Sequence, residues 1–373
     1  MKSALHMLVL LGLMLPLGML GQPPPLEKVK IASGGHIVHF LPLDLAVAKG
    51  FFTSNGLDAE IIQLQSGTPT AQALISKQVD FSLNSIDHAF KAAVQGKDDL
   101  RMVCLLNRLP GMTLVVDSRL KDTVKSIPDL KGRSLAVTSR GSATHMVLAS
   151  LLHRAGVNIA DVTLVEVKPP TFAAALENKQ IAGGIALDPF ASVLVQQGKL
   201  EVLADLNTLR DAEKYLGGPY NQAGVMTRQD VIDSKPQLVK KVVAAHVAAL
   251  KWMLDHSPQE IADALPPEVI GSDKAQYVRV VEKLKEFYSP DGQIIPEGVQ
   301  NVYRSMKQAG ALAADVELNP EKFFLNRDWS SAGADKKVAQ TKHVPLNLVI
   351  ILIAALGLGA VIILLKKKPL KVY

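Results

Sequence analysis

Between residues 26 and 329, short apolar, β-branched runs alternate with longer stretches whose apolar positions recur at three and four residues. A short apolar run bounded by turn residues predicts a buried strand. The three-and-four spacing predicts a helix with one apolar face. The first cycle places strands at 29–32, 59–64 and 79–83 and helices at 43–52, stopping at Lys49-Gly50, and at 70–77. Strand and helix in regular alternation imply parallel β-α-β units, hence an α/β fold with open, helix-covered sheets.

The pattern restarts in the middle of the chain. Leu130-Lys131-Gly132-Arg133 leads into a strand at 134–138 and the turn Ser139-Arg140-Gly141-Ser142, as Val29-Lys30-Ile31-Ala32 leads into Ser33-Gly34-Gly35. Two lobes of similar construction are the simplest reading, and 373 residues exceed what one compact core needs. Long helical patterns at 236–256 and 272–288 are predicted to cover the first lobe.

The ends read differently. Lys2, an apolar run at 7–20, then Gly21, Gln22 and three prolines predict an export signal over 1–21, with an uncleaved anchor as the other reading. Residues 330–345 begin small and polar, the composition of a stalk. Residues 346–365 carry no charge and as a helix would span ~30 Å, one hydrocarbon core. Lys366, Lys367, Lys368 and Lys371 follow, which predicts a cytoplasmic tail at 366–373 and a body outside the membrane.

Composition excludes more than it assigns. The net charge of +6 is mild, and no basic stripe interleaves with aromatics in the middle of the chain, so nucleic acid is not called for. Cys104 is the single cysteine, set in an apolar strand-like run at 101–106. It reads as a small core hydrophobe, and no internal disulfide framework exists. Dinucleotide, phosphate-loop, nucleophile-elbow and paired-cysteine motifs are absent, so neither a cofactor nor a catalytic set is predicted. His36 and His39 form an H-x-x-H pair, but a metal needs three or four converging ligands, so no metal site is predicted.

Candidate binding residues sit in the turns after the strands, because open α/β sheets bind ligands there, where helix N-termini expose N–H groups. Three turns fit: 66–70 with Ser66 and Gly67, 84–87 with Ser85, and 139–144 with Ser142 and Thr144. An ordinary helix N-cap explains each turn singly. Their repetition at equivalent places is what points to one edge. Asp188, in Asp188-Pro189-Phe190, reads either as a cleft-facing acid or as a plain strand end.

These segments also have a family likeness. Residues 41–60, with Lys49-Gly50-Phe51-Phe52 and Gly56-Leu57-Asp58, then Ser66-Gly67, Asp129-Leu130-Lys131-Gly132 and Leu187-Asp188-Pro189, resemble the nitrate/sulfonate/taurine family of ABC-transporter substrate-binding proteins, the SsuA/THI5-like or NMT1-like proteins. The resemblance runs from about residue 28 to 251. It implies a type II periplasmic-binding-protein fold: lobe 1 from 26–115 and 219–329, lobe 2 from 116–218, hinged at crossings near Val115 and Pro219. It implies a small-molecule ligand, an ABC permease and ATPase as partners, and a pocket drawing on Gly34, His36, Ser66, Gly67, Ser85, Ser142, Thr144 and Asp188. A sulfonate, nitrate-like or other small anion suits the helix N-termini, whereas Asp188 in the cleft would suit an amine. A membrane-anchored sensor and a pyrimidine-related enzyme share the architecture. The enzyme branch carries a cysteine cluster that this chain lacks.

Overall fold

The computed structural model describes residues 25–327. The expected export signal, stalk, membrane span and tail lie outside the described residues. Among the described residues no helix is long and apolar enough to cross a membrane.

Among the described residues ten strands form two sheets. They are β1 (Glu27–Ser33), β2 (Leu57–Gln63), β3 (Phe81–Asn84), β4 (Leu100–Leu105), β5 (Met112–Asp117), β6 (Ser134–Val137), β7 (Thr163–Glu166), β8 (Gly183–Leu187), β9 (Leu200–Asp205) and β10 (Gly224–Arg228). The first sheet has the order β2-β1-β3-β10-β4 and the second β7-β6-β8-β5-β9. In each, the pairs that build β-α-β units are parallel, as the alternating pattern predicts. The exceptions are β10, antiparallel to β3 and β4, and β5, antiparallel to β8 and β9. Both sheets are therefore mixed rather than wholly parallel. The reversed strand is in each case the one that arrives from the other lobe, so no crossover helix fixes its direction.

Eight helices carry the argument below: α1 (Leu41–Ala48), α2 (Gly67–Ile75), α3 (Asp87–Val94), α4 (Ala143–Arg154), α5 (Phe190–Gln196), α6 (Pro236–Asp255), α7 (Lys274–Lys283) and α8 (Pro296–Gln308). Helices α6 and α7 bury Val239, Val242, Tyr277 and Val280 against Ile31, Leu43 and Leu45 of the first lobe. Each such side chain, withdrawn from water, contributes about 1.5–3 kcal/mol. Helix α8 was not singled out by the sequence pattern. Its Val299, Val302 and Met306 join Phe90, Met102 and Leu105 of the first lobe to Leu148 and Leu152 of the second in one buried cluster.

The sheet topology places the crossings at 106–111 and 217–223. Val115 lies inside β5, paired with Gly184 and Val202, so the first crossing ends before it. The crossings run side by side. Leu106 and Asn107 donate backbone N–H groups to Ala223 O (2.8 and 3.0 Å), Gln222 N to Asn107 O (3.1 Å) and Tyr220 N to Arg108 O (3.1 Å). Gly111, at φ +61°, closes the first crossing where a Cβ would lie 2.1 Å from the Phe287 ring.

Candidate functional site

The strand-to-helix turns of the two sheets face one another across an inter-lobe cavity of about 60 Å³. The first lobe contributes Gly34, Ser66, Gly67, Asn84, Ser85 and His88, and the second Thr138, Ser142 and Thr144. The apolar wall is Ile37, Phe40, Met112 and Leu187, and Gln222 reaches in from the second crossing. Ser66 and Ser142 are the N-cap residues of α2 and α4, so two helix N-termini converge here. Their free N–H groups make the local field positive.

Close approach explains Gly67. A Cβ there would lie 2.9 Å from Asn84 Oδ1 and 3.1 Å from His88 Nε2. Asn84 Nδ2 in turn donates to Gly67 O (3.1 Å), fixing the turn against the next strand. On the opposite wall the hydroxyls of Thr138, Ser142 and Thr144 bond to one another at 2.7–3.0 Å. Ser142 Oγ also donates to Ser139 O (2.8 Å).

The lobes touch. Ser66 Oγ and Thr68 Oγ1 each lie 3.3 Å from Ser139 Oγ, and Lys91 Nζ donates to Gly141 O at 2.5 Å. Every one of these bonds lands on the turn at 139–141 of the second lobe. Lys91 also pairs with Asp87, which is 1% exposed. Burial alone would raise the Asp87 carboxyl, but the neighbouring Lys91 ammonium, with a hydrogen bond from Ser85, holds it below the usual carboxylate range.

Six of the eight residues expected in the pocket line it: Gly34, Ser66, Gly67, Ser85, Ser142 and Thr144. The other two do not. His36 Nδ1 sits 2.9 Å from Asp44 Oδ1, which raises the pKa of its imidazole. Asp188 accepts from Ser192 N (2.8 Å) at the start of α5, so it serves the strand-end reading, while its neighbour Leu187 faces the cleft. Among the described residues no group of His, Cys, Asp and Glu is arranged to hold a metal.

Sequence reasoning missed His39, His88, Thr138 and Gln222. His39 is 3% and His88 6% exposed, and burial pushes both imidazoles down to about 4, so both are neutral at pH 7. His39 Nε2 faces Pro110 O at 2.8 Å, and its ring meets Phe287 edge-on. His88 follows the turn at 84–87 by one residue, which was a usable signal. Gln222 lies at a crossing, where nothing local marks it. A second inter-lobe hollow of about 510 Å³, lined by Phe190, Asp273 and Tyr277, shares Pro169 with the cleft.

Two mixed α/β sheets on paired crossings, with facing turns around a cleft, match the two-lobed periplasmic-binding-protein fold. The family model described as NMT1/THI5 like matches residues 38–261, and the chain belongs to that family. A Bacillus subtilis protein named as a binding protein, YtlA, is 24% identical over 82% of this chain and 91% of its own length. A solved Bordetella bronchiseptica structure is 29% identical, with a TM-score of 0.76 over 82% of this chain and 96% of that one. The alkanesulfonate-binding protein SsuA of Xanthomonas axonopodis, bound to MOPS, superposes with a TM-score of 0.63 at 18% identity, over 78% of this chain and 94% of that one. The Bacillus and Xanthomonas proteins are both named as binding proteins.

Proposed function

We propose that the protein is the extracytoplasmic substrate-binding component of an ABC-type importer. It captures a small molecule between its lobes and delivers it to a permease driven by an ATPase. The observation that carries this reading is the cleft itself: ligand-facing turns of both lobes meet through cross-lobe hydrogen bonds on paired crossings that can act as a hinge. Such a site binds by closing. Closure changes the outer surface of both lobes together, which is what a permease can read. Export through residues 1–21 and tethering through 346–365, with the body outside, belong to the same reading. So do Gly34, Ser66, Gly67, Ser85, Ser142 and Thr144 as ligand contacts.

The test is a thermal-shift screen of the full chain in detergent micelles with sulfonates, taurine, nitrate, bicarbonate, amino acids and uncharged amides. A ligand that binds only the folded protein stabilises it by about 2.7 kcal/mol at 100 times its Kd. A hit that also draws the lobes together in small-angle scattering supports the reading. A hit that leaves the lobe separation unchanged overturns capture by closure.

A further inference from the structure

We propose that the cleft is built for an uncharged molecule presenting a carbonyl-type acceptor beside an N–H or O–H donor, as a cyclic amide or urea does, and that His39 enforces this choice over an oxyanion. This deepens the importer reading and rests on it.

Charge comes first. Among the described residues, no Lys, Arg, Asp or Glu lines the cleft. The cations that reach its flanking turns are already engaged: Lys91 with Asp87 and Gly141 O, Lys168 with Thr138 O at 3.1 Å. The helix N-termini of α2 and α4 still favour electron-rich atoms, and a neutral carbonyl satisfies them as an anion does.

The deciding group is His39. Pro110 O is a carbonyl and can only accept, so the proton of the neutral ring is on Nε2. Nδ1 is therefore a bare lone pair. It is buried, and no protein group bonds to it. The hydroxyls on the opposite wall, by contrast, bond to one another and to Ser139 O. The unmet demand at His39 is for a donor. Nitrate or an alkanesulfonate brings only acceptors and leaves that lone pair facing another. A molecule with carbonyl and N–H side by side answers the helix termini and His39 together. Ile37, Phe40, Met112 and Leu187 suit its apolar remainder.

The experiment compares two probe sets on the full chain by calorimetry. One set is 2-pyrrolidinone, hydantoin, uracil and lumichrome; the other is nitrate, methanesulfonate and ethanesulfonate. The expected result is tighter binding by a member of the first set, with an affinity that does not fall from low to high salt, because no ion pair is screened. His39→Gln keeps an amide donor for Pro110 O but moves the acceptor, now its Oε1, away from the place of Nδ1, and is expected to weaken that binding about 10-fold or more. In the wild type, the nitrogen NMR signal of unprotonated His39 Nδ1 is expected to move on binding, which needs no variant to fold. Unchanged affinity in His39→Gln with an unmoved Nδ1 signal overturns the role of His39. Tighter, salt-sensitive binding of an anion overturns the proposal and leaves the importer reading standing. Silence from both sets overturns both.

Discussion

Lys91 offers the sharpest test of how the lobes are held. Its ammonium is the partner of Asp87 and at the same time crosses the cleft to Gly141 O. Asp87 is 1% exposed, its Oδ1 already lacks a partner, and the adjacent His88 is neutral. Lys91→Met keeps the stem's packing but leaves a buried carboxylate without its cation, a cost of about 3–5 kcal/mol. The lost cross-lobe bond adds about 1 kcal/mol. For a protein of this size each kcal/mol moves Tm by ~2–4 °C, so a fall of about 8–24 °C is expected by calorimetry at pH 7. The sign of the pH dependence is fixed. In the wild type the Asp87 pKa is depressed, so its contribution is present above the ordinary carboxylate pKa and disappears as pH falls through the folded value. In Lys91→Met burial is opposed mainly by Ser85 and raises that pKa, so the variant recovers as the pH falls and the gap between the two Tm values narrows. Lys91→Met/Asp87→Asn is expected to regain most of the loss at pH 7. An unchanged Tm in the single variant, or a double variant no better than the single, refutes the reasoning.

Three other expectations follow from buried groups. His39, His88 and His246 are all held near 4, below the ordinary imidazole value, so the native state resists protons that the unfolded chain accepts. Stability is then full above pH ~6.5 and falls toward pH 4 by about 1.4 kcal/mol per pH unit per histidine. Denaturant melts over that range measure the slope, and His246→Phe is expected to lower it by one histidine's share. Burial pushes the Cys104 thiol up to about 12, so a thiol-reactive disulfide reagent is expected to modify it only as fast as the protein unfolds; rapid labelling of the native state would contradict its burial. Gly67→Ala forces a Cβ onto Asn84 and His88 and is expected to cost about 1–3 kcal/mol by thermal melting, with a larger loss of ligand affinity by calorimetry.

The sequence by itself determined several of the elements and which turns line the inter-lobe cavity. Period-two and period-three-to-four patterning is a local property, so β1, β2, β6, α1 and α6 were legible within a few residues. The Ser- and Gly-bearing turns after those strands were legible too, since helix N-caps have short-range signatures. What only the tertiary structure decided depends on which distant segments meet. The reversed direction of β5 and β10 follows from the crossings, and Val115 carries no mark that separates a strand from a hinge. His36 and His39 look equivalent as a spaced pair, yet one bonds to Asp44 and does not line the pocket, while the other bonds to Pro110 O and does. Asp188 has the composition of a cleft acid, but Ser192 N, four residues on, takes its carboxylate. Gln222 becomes a cleft residue only because the chain returns through the hinge beside Asn107. A side chain's chemistry is set by its type, but its role is set by the partner that reaches it first, and that partner is chosen by packing across the whole fold.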